Sequence, residues 1–404
     1  MMKIYYSVVE KFPTFRVDIT ELFGVSLKKL GVTTVWFMDA SRNKDNKIVN
    51  QDGFESVKLP AFFDGAGLAV KIFNKLSYYL CDIWSLLCQL FSDVTLIQVR
   101  DKYIAALFGL LIAKIKKVPF CYWCSYPYPE HDLGMVTSLQ GYRKWVYYIR
   151  GIFGYYAIYK IVMKYANHSF VQSDQMLRDI IEYGVPADKM SAVPMAVSDD
   201  IFDRVATFKT GESDKHTFVY LGTLATVRRM ETIIEAFSLV VKKHPMAKLV
   251  LVGEGDYPEE KERLIQRAIA LGISDSVRFT GFIPMADAWK IAANGFACIS
   301  PFYPTKVLAS ASPTKLVEYM ALGKPVIVND QPDQASVIKS SGAGLCVEWG
   351  SEHFASAMIW MLDNPDEAIA MGRKGPEWVK ENRTYSIIAG QVYQQYQKIG
   401  GDKQ

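Results

Sequence analysis

Short apolar runs alternate with longer stretches of helical period along nearly the whole chain. In the first half the strand-like runs are Lys3–Val9, Thr34–Met38, Val94–Val99, Phe120–Trp123 and Ser169–Gln172. Runs of this kind, separated by helical stretches, belong in a parallel sheet covered on both faces. The stretch Leu68–Phe91 is helical in period and very apolar, but Lys71, Lys75 and Asp82 interrupt it, so a membrane span is a poor fit. Ile104–Ala113 is too short to span and reads as a buried helix. A second alternation starts at Thr217–Leu221 and continues through Lys248–Val252, Ser276–Phe279, Ala297–Ser300, Val326–Val328 and Gly344–Val347. Between the two, residues 201–216 turn polar and read as a linker. The pattern predicts two successive Rossmann-like domains, 1–200 and 217–384, joined by that linker and followed by a closing helical segment, 385–404. No repeat of solenoid period and no low-complexity tract interrupts this organisation.

Composition narrows the reading only slightly. The chain has 404 residues, 50% of them apolar and 13% aromatic, enough for a large core and against disorder. A net charge of +4 does not demand a nucleic acid. The first residues run straight into a strand-like segment without a charged-then-apolar leader, which predicts a cytoplasmic protein. The six cysteines are scattered. Cys121 and Cys124 form a Cys-x-x-Cys inside an apolar strand, with no second pair or His cluster to complete a zinc set. All six are read as reduced packing residues.

The candidate chemistry concentrates in the second half. From Ser312 to Val328 the sequence reads loop, helix, tight turn and buried strand, with Pro313 at the helix start, Ser312 able to cap it and Gly323 suited to its end. Thr314 and Lys315 sit in the first turn, where free N–H groups, the helix dipole and an ammonium converge on one place. That is an anion site. One turn on, Glu318 can accept hydrogen bonds from sugar hydroxyls. Upstream, Tyr220-Leu-Gly-Thr-Leu-Ala-Thr-Val-Arg-Arg-Met is a strand, a small-residue turn and two arginines before a helix over Met230–Val241. Gly222 lets a ligand approach the backbone, and the fixed charges of Arg228 and Arg229 suit a diphosphate.

The run Pro313-Thr-Lys-Leu-Val-Glu-Tyr-Met-Ala-Leu-Gly-Lys-Pro-Val resembles the donor-binding signature of GT-B glycosyltransferases, specifically the retaining family 4 enzymes. The resemblance implies an α/β GT-B fold, with a cleft between the two domains and a last helix, Tyr385–Ile399, crossing back onto the first. It implies that Arg229, with Arg228 able to share the role, and Lys315 offset charge on the leaving diphosphate, helped by N–H groups near Thr314. Glu318 would hold the ribose. Phe282 and Ile283, in Phe279-Thr-Gly-Phe-Ile-Pro, lie where the backbone of relatives meets the nucleobase. Ser310 stands where many relatives carry a second acidic residue. Ser125 stands where they place a His after a strand of the first domain, and His131 is near enough in the loop to substitute. Arg16 could face an anionic acceptor or the donor phosphate.

The expected reaction is retaining transfer from a UDP- or GDP-sugar to a glycan or lipid-linked glycan, in synthesis of a cell-surface polysaccharide or glycoconjugate, with no cofactor and no divalent metal. Two alternatives stay open: a nucleotide-sugar epimerase of the same fold, and a non-catalytic GT-B partner protein. Finally, residues 143–165 interleave aromatic with basic side chains and contain no acid. Arg143, Arg150, Lys160 and Lys164 fall within one helical arc, which predicts contact with an anionic membrane surface, at the inner face if the protein is peripheral.

Overall fold

The computed structural model describes residues 2–14, 16–40, 53–54, 56–60, 63, 65, 67–208 and 214–401. The chain folds as two compact units, Met1–Pro194 together with Tyr385–Gln404, and Met195–Thr384. The division falls at Pro194 rather than in the polar stretch 201–216. Residues Ile201–Phe208 form a helix instead of a linker. The reason is the spacing of Ile201, Val205 and Phe208, which gives one apolar stripe that packs on the core of the second unit beside Val219 and Leu316. Residues 209–213 of the expected linker, and 402–404 of the expected closing segment, lie outside the described residues.

In the first unit the described strands are β1 (Met2–Phe12), β2 (Val32–Ala40), β3 (Val57–Lys58), β4 (Leu96–Arg100), β5 (Phe120–Cys124), β6 (His168–Val171) and β7 (Met190–Ala192). They pair in parallel in the order β3-β2-β1-β4-β5-β6-β7. Three helical connections run toward β7: α1 (Leu68–Cys88), α2 (Tyr103–Lys116) and α3 (Gly141–Gly154). α3 continues without a break through a π-helical segment, Tyr155–Val162, to Tyr165. Right-handed crossovers place all three on one face of the sheet, where α1 packs on α2 and α2 on the π-helical segment. The connection at 17–29 runs the other way and covers the opposite face, against α4 (Tyr385–Gly401). α4 is held in the first unit by Tyr396, whose hydroxyl donates to Gln98 Oε1 on β4 at 2.6 Å.

Two features that looked like interruptions are anchors. Asp82, on the inner side of α1, accepts from Lys102 Nζ at 2.8 Å and from the Ser7 hydroxyl, pinning the helix to the sheet. Gly151 and Gly154 do not break α3. A Cβ on Gly151 would lie 2.8 Å from Leu133, and one on Gly154 2.5 Å from the Tyr103 ring, so both residues let the helix pack closely. All six cysteines are free, and burial keeps the thiols of Cys121 and Cys124 protonated.

The second unit holds β8 (Thr217–Leu221), β9 (Lys248–Val252), β10 (Val277–Gly281), β11 (Ala297–Ser300), β12 (Val326–Asn329) and β13 (Gly344–Val347), parallel in the order β10-β9-β8-β11-β12-β13. The direction of travel reverses between β8 and β11. In an open α/β sheet such a switch point leaves a crevice at the carboxyl ends of the strands, because the connecting segments diverge to opposite faces there.

Candidate functional site

The segments that leave β8 and β11 carry the site. β8 is followed by Gly222, whose N–H donates to Val252 O at 2.9 Å and whose φ of 144° is one that other residues rarely adopt. A Cβ there would sit 2.6 Å from Lys315 Nζ, so glycine is what allows the ammonium to close on the turn. The turn itself is fixed by Tyr220, whose hydroxyl donates to Thr223 O, and by Glu260, which accepts from Thr226 N–H at 2.6 Å and from its hydroxyl at 2.7 Å. A single 3-10 turn, Thr226–Arg228, then precedes helix Glu231–Lys243.

The two arginines diverge. Arg228 lays its guanidinium 4.7 Å from the Phe302 ring centroid, with Nε and Nη1 buried and lacking hydrogen-bond partners. Lys315 comes to the same place from helix Thr314–Ala321. Its Nζ is 4.1 Å from the Tyr220 ring and 5.7 Å from Phe302, buried and again without a hydrogen-bond partner. Arg229 instead takes a left-handed backbone (φ 51°), is exposed, and lies 5.5 Å from the Tyr303 ring. Arg228, expected to assist, therefore lies beside Lys315, and Arg229, expected to lead, lies beside Tyr303.

Charge in this crevice is poorly compensated. Burial, and then Arg228, push the Lys315 pKa well below that of a free lysine, against a smaller pull from Glu318. Burial likewise pushes the Glu318 carboxyl up to about 7, with Lys315 opposing. The first turn of Thr314–Ala321 adds donors: its N-cap residue is Pro313, and no side chain caps the helix. Ser312, expected as the cap, stands one residue too early. It donates to Asp333 at 2.8 Å and accepts from Met195 N–H, in a network closed by Arg383 on Asp333. Two cations with unsatisfied N–H groups and uncapped amides at one switch point can bind a doubly charged anion, such as a diphosphate.

Gly222, Arg228, Lys315, Thr314 and Glu318 are thus brought together. Ser310 is buried nearby, with its hydroxyl on Lys306 O at 3.3 Å. Phe282 follows β10 and is 82% exposed, whereas Ile283 packs on the core. Tyr220, Phe302 and Tyr303 were not foreseen. Phe302 and Tyr303 follow β11 directly, and only the strand order places them opposite the turn after β8. A groove of about 620 Å³ lined by Thr217, Lys248, Arg278 and Lys290 opens at the other ends of β8–β10, away from these groups.

In the first unit the carboxyl ends of β1 and β4, its own switch point, carry a buried charge cluster absent from the expectations. Arg100 is fully buried, 2.5 Å from Asp18 and 3.6 Å from Glu10. Asp18, for which burial alone would favour the neutral form, is held down to about 2 by Arg100 and Arg16. Ser125 donates both its N–H, at 2.9 Å, and its hydroxyl to Asp101. Burial raises the Asp101 carboxyl to about 6. His131 is half-buried, its Nδ1 3.5 Å from Asp132.

Residues 204–378, nearly all of the second unit, match the family model described as Glycosyl transferases group 1. The second unit is a group 1 glycosyl transferase domain. Among curated relatives, a GDP-mannose-dependent alpha-(1-6)-phosphatidylinositol monomannoside mannosyltransferase of Mycobacterium tuberculosis is 27% identical over 235 residues, 55% of this chain and 60% of that protein. An alpha-monoglucosyldiacylglycerol synthase of Streptococcus pneumoniae is 25% identical over 293 residues, 67% of this chain and 59% of that one. The matches thus span about 60% of the length of these relatives. Solved structures extend the likeness to the whole chain. Anabaena HepE in complex with UDP aligns over 98% of this chain and 100% of its own, with TM-score 0.73 and 13% identity. Sucrose-phosphate synthase from Thermosynechococcus elongatus aligns over 100% of both chains, with TM-score 0.73 and 18% identity. At such identity the likeness carries the fold, which is GT-B, as the resemblance implied.

Proposed function

We propose that this glycosyl transferase moves a sugar from a UDP- or GDP-sugar to a glycan or lipid-linked glycan with retention at the anomeric carbon, in cell-surface polysaccharide or glycoconjugate synthesis. The observation that carries the reading is the pair of cations at the switch point, Arg228 and Lys315, whose Nε and Nη1 and whose Nζ are buried without hydrogen-bond partners. They await the charge that grows on a leaving diphosphate, and electrostatic stabilisation of that charge is where the catalysis lies. The N–H groups near Thr314 add to it. Glu318, one turn on, accepts from the ribose hydroxyls once ionised, and the backbone at Phe282 and Ile283 flanks the base. The bond from the anomeric carbon to the donor phosphate oxygen breaks as the acceptor oxygen attacks from the same face. The acceptor proton passes to that phosphate oxygen, leaving a nucleoside diphosphate. Independence from divalent cations belongs to the same reading.

The supporting relatives differ in donor, GDP-mannose by name in one and UDP by the bound ligand in another, so both nucleotides enter the test. Purified protein is mixed with UDP-glucose, GDP-mannose and related donors, with and without EDTA, and followed by thermal shift and release of UDP or GDP. Stabilisation by at least one donor and EDTA-resistant turnover with a glycan acceptor are expected. An isomerised donor in the absence of acceptor would mean an epimerase instead. A second reading, donor binding without turnover, is favoured by Ser125, whose hydroxyl is engaged by Asp101. Stabilisation by a donor with no product from any acceptor would establish it.

A further inference from the structure

The helices on one face of the first unit turn apolar ridges outward. In a doubly wound fold the outer side of such helices meets water and is normally polar. On α1 the outward positions are Leu68, Ile72, Phe73, Leu76, Leu80 and Trp84, with Phe73 60% and Trp84 68% exposed. On α2 they are Ile104, Phe108, Leu111 and Ile115, a single stripe spaced by four, three and four residues, ending 58% exposed. On α3 they include Trp145, Val146, Ile149, Ile152 and Phe153, with Trp145 65% exposed. The three ridges are neighbours: α1 packs on α2, Tyr103 of α2 meets Phe153 of α3 at 6.3 Å between ring centroids, and Lys114 of α2 lies over the Tyr165 ring. Apolar surface this continuous marks an interaction site.

Its charge identifies the occupant. Asp82 is the lone acid within α1, α2 and residues 141–165, and it faces inward. Lys71, Lys75, Lys114, Arg143, Lys144 and Lys164 are exposed among the ridges. Two cations of the basic arc expected at 143–165 are engaged elsewhere. Arg150 is paired with Asp132, and Lys160 donates to Tyr183 O at 2.6 Å. The positive charge therefore comes from three helices rather than one stripe. Trp and Tyr beside Lys and Arg, over a wide aliphatic surface without exposed acid, fit the interface of an anionic bilayer, where apolar burial and attraction to the headgroups add. No helix among the described residues is long and apolar enough to cross a membrane. From these observations we infer that the protein docks on anionic lipid through the combined outer faces of α1, α2 and α3, lying on the bilayer without spanning it.

Co-sedimentation of the whole protein with vesicles tests this. Vesicles of phosphatidylglycerol and phosphatidylcholine should pellet it and pure phosphatidylcholine should not, with binding weakened by salt. Each basic residue near the surface contributes about fivefold in partitioning, so Lys71→Gln, Lys75→Gln and Arg143→Gln together should lower it about 100-fold. A second variant, Ile72→Asn, Leu76→Asn and Trp84→Gln, should abolish binding while its melting curve stays that of the parent. Absence from both pellets would overturn the inference. So would a stable dimer in free solution that the apolar variant converts to monomer, since a second copy would then cover the face. The readout is partitioning alone, so it stands or falls separately from the proposed transfer reaction.

Discussion

Lys315→Met should make the protein more stable and, at the same time, nearly blind to nucleotide. The Lys315 ammonium is buried without a hydrogen-bond partner and shares its crevice with Arg228. A buried polar group left unsatisfied costs about 1–3 kcal/mol, more if charged. Methionine has comparable length and flexibility without that cost. The free variant should therefore gain about 1–2 kcal/mol, a rise in Tm of about 2–4 °C per kcal/mol for a unit of this size. The donor supplies the missing partner in the parent. UDP at 100 times its Kd should add about 2.7 kcal/mol there, and most of that increment should vanish in the variant, with kcat/KM down about 10²-fold. The pH dependence has a definite sign. The folded-state pKa of Lys315 lies below its unfolded value, so between the two the unfolded chain holds the extra proton and stability rises with pH. Lys315→Met removes that rise. Urea melts with and without UDP, repeated across pH, measure all three effects. A variant less stable than the parent by 1 kcal/mol or more, with its UDP increment intact, would refute the reasoning.

The two arginines should separate cleanly. Arg228→Ala should lower kcat/KM about 10²-fold, whereas Arg229→Gly should keep activity and gain up to about 1 kcal/mol by relieving the left-handed backbone; steady-state kinetics and melts in which the ranking is inverted would return the role to Arg229. Glu318 titrates from 4.5 to about 7 on folding, so the folded state holds the extra proton between those values and stability falls as pH rises through them, by on the order of 3 kcal/mol at most. Glu318→Gln should flatten that limb of the pH–stability curve and weaken donor binding by calorimetry; equal donor affinity in mutant and parent would reduce Glu318 to a packing residue.

The sequence by itself determined the parts that rest on local chemistry. β8, β9 and β11 fall on their expected limits, because strands walled on both faces must be unbroken apolar runs; β13 does so too, though it lies partly exposed at the sheet edge. β3 and β7, with two and three residues, leave no such run to see. The turn at Gly222 and the short helix that carries Thr314, Lys315 and Glu318 were legible, because a turn and a helix start constrain neighbouring residues directly. The tertiary structure decided what depends on distant partners. It set Arg228, not Arg229, against Phe302 and beside Lys315 through strand order, and made the polar Ile201–Phe208 stretch a helix by supplying a core for its apolar stripe. It also decided the fate of the apolar periodicity in α1, α2 and α3. A helical stripe reads the same in sequence whether it is buried or bare. Here Asp82 and Lys102 fix α1 to the sheet and right-handed crossovers gather the three helices on one face, leaving their outer ridges in the open.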